Sequence, residues 1–424
     1  MPLKRNVALM ALSTASRLGA GLFTFSILAR VLGPESFGVL MLGLSVAVLL
    51  SLIPNYGLTP FILREIGANP KSAEAVMNEG FTAKLILTAA LFVVAIIAVL
   101  SFRLDAGTVF FLLLVGAVAD SFTEFMNAAF RARDSFATET RISTVTALLH
   151  ATIVCSAVVL YPSVQTAAVA YAVSRLCVLA ITRTALARAV SPLRLVSFRR
   201  AVSRLRSTIT YAVDFGVNSL FGQIDSVVLN YFVGPIAVGL HQAGMRVFLG
   251  LAQLAPILAN VFLPRAAGRS RNEALFAQEC RRLQLTFLVF GTTSGLALSI
   301  FAKPLVFLLF GNGYLALVDL MPLFGLLLFT RFLAAAWGLV LTATGNQMFR
   351  MWASVFHWLV IAASAIWLVP LMGNRGWLLS LFAGTTVLAF IYAARGSQLV
   401  PTHWSVLALA ASGGLAFLPF LHFA

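Results

Sequence analysis

The sequence is 424 residues long, 60% hydrophobic and only 10% charged, with a mean hydropathy of +0.96. That apolar fraction exceeds what a water-facing surface tolerates, so the chain reads as a polytopic membrane protein and not as a soluble domain. The formal charge of +16 rests almost wholly on arginines gathered in short connections; only four of the 30 basic residues are lysines, which argues against the flexible basic tail of a nucleic-acid binder.

Taken in chain order, apolar runs between polar breaks predict helices near 8–30, 37–63, 79–101, 107–130, 140–161 and 164–185. A second series follows near 209–232, 239–262, 282–307, 316–342, 350–370 and 374–395, with 403–421 as a candidate thirteenth span. Residues 1–5 have the basic character of a signal peptide, but comparable runs recur to the far end, and 8–30 reads as a retained first span. The expected organisation is an N-terminal six-helix lobe over 1–185, a basic amphipathic cytoplasmic linker over 186–208, a C-terminal six-helix lobe over 209–395, and a tail or extra span over 396–424. The linker holds Arg188, Arg194, Arg199, Arg200, Arg204 and Arg206 interleaved with Leu193, Leu195, Val196, Val202 and Leu205, a pattern suited to a helix lying on the membrane surface after Pro192.

Charge sets the sides. With the N-terminus inside, 22 basic residues, including Lys4, Arg64, Lys84 and Arg131, fall in cytoplasmic connections and helix ends. Arg30, Arg103, Lys303 and Arg375 fall outside. Two stretches offset by 201 residues also share punctuation: Gly21, Gly33-Pro34, Gly38, Phe61 and Arg64 match Gly222, Gly234-Pro235, Gly239, Phe262 and Arg265. The recurrence suggests a duplicated helix bundle, and an even number of helices per unit makes the halves parallel.

Charges at membrane depth are expensive and should face a cavity or a partner. In the first span Arg17 shares an arc with Ser13, Gly21 and Thr24. The fourth span carries Asp120, Glu124, Asn127 and Arg131 on one helical face, where the two carboxylates either share a proton or form ion pairs with basic groups. The seventh span holds Asp214, Asn218 and Asp225; the eighth holds Gln242, Arg246, Gln253 and Asn260, a polar stripe that reads as a cavity wall. Arg175 in the sixth span and Arg331 in the tenth complete an intramembrane set richer in arginine than in carboxylate, which favours an anionic cargo. No His, Cys and Asp grouping has metal-ligand spacing, and Cys155, Cys177 and Cys280 make no disulfide framework. Tyr56, Trp337, Trp352, Trp367, Trp377 and Trp404 read as interface anchors or wall residues.

The run Leu28-Ala29-Arg30-Val31-Leu32-Gly33-Pro34-Glu35-Ser36-Phe37-Gly38 resembles the first hairpin of the Wzx-like polysaccharide-biosynthesis flippases of the multidrug/oligosaccharidyl-lipid/polysaccharide (MOP) exporter superfamily. Asp225 with Val233-Gly234-Pro235 and Val238-Gly239, followed by Arg246 and Pro264, resembles the seventh and eighth helices of that family. The resemblance implies an all-α, MATE-like architecture of two six-helix lobes, 12 spans plus the candidate 13th. It implies transport of an undecaprenyl-diphosphate-linked oligosaccharide from the cytoplasmic to the periplasmic leaflet of a bacterial inner membrane, by alternating access and with proton or sodium coupling but no other cofactor. On that picture Arg17, Arg175, Arg246 and Arg331 attract the diphosphate, Asp225 belongs to the substrate site, and Asn127, Asn218, Gln242, Gln253 and Asn260 offer hydrogen bonds to sugars. Asp120 and Glu124 are the coupling candidates. Partners would be the lipid-linked glycan, anionic membrane lipids and the polysaccharide polymerase and chain-length machinery. The alternatives left open are a MATE-like multidrug exporter and a peptidoglycan lipid precursor flippase. An enzyme reading finds no support, because every outer loop is too short to house a catalytic cluster.

Overall fold

Hydrocarbon offers a peptide group no hydrogen-bond partner, so each apolar run must close its own backbone bonds as a helix. The computed structural model describes residues 2–102, 107–133, 135–189, 193–220, 222–259, 262, 273–401 and 403–421, and every regular element among them is helical. Two compact units divide the chain, Met1–Asn230 and Tyr231–Ala424.

The first unit opens with α1 (Pro2–Asn55), which covers the expected first span and most of the second and bends at Gly33 (φ 75°, ψ 169°). In the second unit Gly234 takes nearly the same backbone (φ 109°, ψ 180°) just before Pro235 opens α9. A Cβ at either glycine would meet nothing within 4 Å, so the requirement is conformational: positive φ, then a proline whose missing N–H does no harm at a helix start. The shared punctuation at Gly33-Pro34 and Gly234-Pro235 therefore has one physical form. Gly38 and Gly239 both lie in the helix that follows, whereas the correspondence does not extend to the first shared glycine, for Gly21 lies inside continuous helix while Gly222 lies in a turn.

The expected helix over 37–63 is broken at Tyr56 and Gly57, both with positive φ, and resumes as α2 (Leu58–Ala68). Then come α3 (Ala73–Phe102), α4 (Gly107–Ala132), α5 (Phe136–Leu160) and α6 (Val164–Ala189). Helix α4 packs against α1, α2 and α6 and buries Phe125, Ala128, Ala129 and Phe130 completely. Residues 193–197 have no regular structure and lead into α7 (Phe198–Leu220), and Pro192 lies outside the described residues. This connection is strapped to the bundle: Asn78 Oδ1 accepts from Arg194 N at 2.8 Å, Thr82 Oγ1 accepts from Val196 N at 3.1 Å, and Arg204 Nε donates to Glu79 Oε2 at 2.9 Å. Arg64 Nη1 donates to the Tyr211 hydroxyl at 2.6 Å. The segment expected as one span over 209–232 ends its first helix at Leu220 and starts a second, α8 (Ile224–Phe232).

The second unit comprises α9 (Pro235–Ala252), α10 (Glu273–Ile300), α11 (Ala302–Phe310), α12 (Leu315–Val318), α13 (Met321–Ala343), α14 (Gln347–Met372), α15 (Asn374–Leu399), α16 (Trp404–Leu415) and α17 (Leu418–Leu421). Its centre is α13, whose residues Met321–Thr330 are all buried. Helices α10 and α13 approach so closely that a Cβ on Gly295 would lie 2.5 Å from Gly325 O, and one on Gly325 would lie 2.4 Å from Gly295 O. Small residues at such a crossing let two backbones touch where lipid supplies no hydrophobic drive. Trp337 and Trp377 are buried in this unit at 3% and 4% exposure, so they are core residues and not interface anchors, unlike the exposed Trp352, Trp367 and Trp404.

Ten helices among the described residues are long and apolar enough to cross a membrane, with the whole of Thr14–Asn55 counted as one. The shortfall from twelve arises because the first two expected spans are continuous through the Gly33 bend and the seventh is split. The expected thirteenth span is represented by a shorter apolar helix, Trp404–Phe420, about 25 Å long against roughly 30 Å of hydrocarbon.

Candidate functional site

Four helices of the first unit bring polar side chains to one pocket of about 250 Å³. Helix α1 supplies Arg17 and Thr24, α4 supplies Asp120, Thr123, Glu124 and Asn127, α5 supplies Ser143, Thr146 and His150, and α6 supplies Arg175. The α4 residues meet there because spacings of four and three keep them on one face of a helix whose other faces are packed. Close packing of α6 on α4 holds the geometry: a Cβ on Gly116 would lie 2.5 Å from the Tyr171 ring.

Each carboxylate has an arginine. Arg175 Nη1 donates to Asp120 Oδ1 at 2.7 Å, and Arg131 Nη2 donates to Glu124 Oε1. Of the two arrangements the sequence left open, the ion pairs are the one formed. Arg175 also lies over the Tyr171 ring, 5.2 Å from its centroid. Once both pairs exist, Arg17 is the pocket-lining cation with no carboxylate partner among the described residues, and it is exposed. Two further guanidinium donors, Arg131 Nε and Arg175 Nε, are buried with no hydrogen-bond partner, as is the acceptor Asn127 Oδ1. A buried polar atom left so costs about 1–3 kcal/mol.

His150 Nδ1 stands 2.7 Å from Ser174 Oγ, while Ser174 donates its hydroxyl proton to Tyr171 O at 2.8 Å. Behind the pocket, buried Glu139 accepts from Ser143 Oγ at 3.2 Å. No group of three or more His, Cys, Asp or Glu residues that could hold a metal ion occurs among the described residues.

Asp225 is placed elsewhere in the first unit, in the first turn of α8, where its Oδ1 accepts from Ser226 N at 2.7 Å; Ser45 Oγ in turn donates to Ser226 Oγ at 3.0 Å. Gln242, Arg246 and Gln253 belong to the second unit: Gln242 is buried on α9, Arg246 is half-buried one turn later, and Gln253 closes the helix. Arg331 on α13 lies 5.9 Å from the centroid of the α9 residue Phe248. Asn260, Pro264 and Arg265 lie outside the described residues.

Sequence reasoning missed one group outright. Lys84 belongs not to a cytoplasmic helix end but to the interior of α3, fully buried at 0% exposure. Its Nζ donates to Ser121 Oγ at 2.7 Å and to Pro54 O at 3.2 Å, and it lies 5.1 Å and 5.9 Å from the centroids of Phe122 and Phe125. Pro54 O is one of the last carbonyls of α1, unpaired within its own helix, so the ammonium caps the negative end of a helix dipole at the Tyr56–Gly57 break. The signal was a lone lysine eleven residues into an apolar helix. Glu139 and the His150–Ser174 pair left no comparable periodic mark.

The profile of the family described as polysaccharide biosynthesis protein matches residues 3–267, well over half of the chain. No curated protein matches the sequence. Among solved structures, the chain is similar to the lipid II flippase MurJ in an inward closed conformation, with TM-score 0.75 and 12% identity over 98% of this chain and 92% of that one. It is similar to an inward-facing multidrug resistance MATE family transporter of the MOP superfamily, with TM-score 0.67 and 16% identity over 96% and 99%. A MOP superfamily transporter from Pyrococcus furiosus, described as having a binding pocket of reverse polarity that suggests a different function, matches with TM-score 0.61 and 16% identity over 95% and 96%. At these identities the likeness establishes the fold, an all-α multi-pass membrane architecture of the MATE type.

Proposed function

The chain belongs to the polysaccharide biosynthesis protein family, and from that premise we propose that it moves a lipid-linked, diphosphate-headed substrate across a bacterial inner membrane by alternating access, as a carrier and not an enzyme. The observation that carries this reading is the chemistry of the first-unit pocket. Arg17 has no carboxylate partner there, Arg175 keeps an Nε donor with no partner, and Asn127 keeps an acceptor with none. Guanidinium donors suit phosphate oxygens, and an amide acceptor suits a sugar hydroxyl. Arg246, Arg331, Gln242, Gln253 and Asn260 would serve the same cargo from the C-terminal half, with Asp225 contributing from α8.

In the finer form of the proposal the cargo is an undecaprenyl-diphosphate-linked oligosaccharide, handed on to a polymerase and its chain-length machinery, with the N-terminus cytoplasmic and two parallel six-helix lobes as the moving parts. Asp120 and Glu124 are the coupling groups, each exchanging its arginine for a proton or sodium ion during the cycle. Two other readings have support of their own. The likeness to the lipid II flippase favours a peptidoglycan precursor, and the carboxylates lining the pocket, together with the likeness to MATE transporters, favour a lipophilic cation.

One experiment separates the three. In a strain lacking the protein, mass spectrometry of the lipid extract should show a lipid-linked oligosaccharide accumulating on the cytoplasmic leaflet. Accumulation of the peptidoglycan precursor instead would replace the cargo, and unchanged lipids with heightened drug sensitivity would overturn the flippase reading.

A further inference from the structure

Helices α4 and α6 carry two unlike faces. One lines the polar pocket; the other, with α3, lines an apolar cleft of about 530 Å³ on the first unit. Phe81 and Leu85 of α3 form one wall and Leu179 of α6 the other, while Phe122 and Met126 of α4, at 6% and 1% exposure, form the floor. Phe81 and Phe122 meet edge to face at 5.9 Å, so the floor is fixed by ring packing. The cleft also takes in Arg183, which is exposed and has no partner among the described residues.

That arginine sets the cleft apart from a larger groove of about 940 Å³ between α1, α3 and α4, lined by residues such as Val39, Leu50, Val94 and Phe110 without a single polar side chain. Any bilayer hydrocarbon satisfies the larger groove. The α3–α4–α6 cleft presents a chain-shaped apolar surface together with a guanidinium whose fork fits a phosphate. We propose that it is a binding site for one anionic phospholipid of the bilayer, with an acyl chain along Phe122 and Met126 and the phosphate on Arg183.

Selectivity at such a site must come from the headgroup. Lipid tails are as apolar as the cleft wall, so moving a chain from bilayer to protein gains little, whereas a basic residue between helices near the membrane surface attracts anionic headgroups. The bound lipid would bridge α3 and α6, which both pack on α4 but share few direct contacts. The proposal is independent of the transported cargo.

The test uses the full-length protein in nanodiscs of phosphatidylcholine with and without phosphatidylglycerol, read by native mass spectrometry and thermal unfolding. One phosphatidylglycerol should remain bound to each protein and raise the unfolding temperature. Arg183→Gln should weaken retention about tenfold, the equivalent of one lost charge-assisted contact. Arg188→Gln removes the same charge from outside the cleft and should change nothing; Arg183→Lys should keep most of the retention; Ala180→Phe should displace the lipid by filling the cleft. Equal retention of both lipids, or equal losses in Arg183→Gln and Arg188→Gln, would overturn the site.

Discussion

Lys84 offers the sharpest prediction, because two substitutions of opposite logic bear on the same buried charge. Burying an ammonium costs several kcal/mol, and here that cost is met by two hydrogen bonds and two ring faces rather than by a carboxylate. Lys84→Met keeps the volume and removes the charge. Pro54 O and Ser121 Oγ then each lose a donor, at about 1–3 kcal/mol apiece, but the desolvation cost disappears with the ammonium. The two changes should nearly cancel, leaving stability within about 1 kcal/mol of the parent. Lys84→Ala loses the same bonds and also opens a cavity where the side chain was fully enclosed, which adds about 2–5 kcal/mol. Alanine should therefore be the less stable variant by at least about 2 kcal/mol. Denaturant unfolding in mixed micelles, followed by tryptophan fluorescence, measures both. An alanine variant as stable as the parent would show that Lys84 does not support the break after α1. A methionine variant no better than alanine would refute the balance of charge cost against bonding.

Three further outcomes follow from particular contacts. Arg175→Ala should lower the unfolding temperature by leaving Asp120 an unneutralised carboxylate among packed helices, and Asp120→Asn in the same chain should restore part of the loss; a double variant as unstable as the single one would show that the pair does not couple α4 to α6. Gly325→Ala should cost about 1–3 kcal/mol by forcing α10 and α13 apart, seen as a lower unfolding temperature, with Gly295→Ala comparable; an unchanged melt would mean the crossing can relax. Gly33→Ala and Gly234→Ala should each cost about 1–3 kcal/mol from backbone strain alone, since neither new methyl meets a neighbour, and a large difference between them would show that the two Gly-Pro bends are not equivalent.

The helical, membrane-spanning character of the chain was legible in its sequence, because hydrophobic length and the demand for internal backbone bonding leave few choices in lipid. So were the two Gly-Pro bends, where one residue type meets one backbone need, and the α4 stripe of Asp120, Glu124 and Asn127, where local spacing alone defines a face. The breaks at Tyr56–Gly57 and after Leu220 fall where turn-forming and polar residues interrupt the apolar runs, Pro54-Asn55 in one and Gly222-Gln223 in the other, but averaged hydropathy over a whole run does not mark a helix end; at the first break Lys84 takes up the freed Pro54 carbonyl, which only packing supplies.

Charge pairing was hidden for a related reason. A tally of intramembrane arginines counts loose charges, whereas ion-pair energy depends on distances between helices that composition does not encode. Packing α6 onto α4 neutralised Asp120 with Arg175, Glu124 found Arg131 two turns along its own helix, and Arg17 was left as the pocket's cation without a carboxylate. The sequence by itself determined which residues must lie in the membrane and which share a helical face. Only the tertiary structure decided which charges cancel, because packing gave Asp120 an arginine 55 residues away on another helix and left Glu124 with the one on its own.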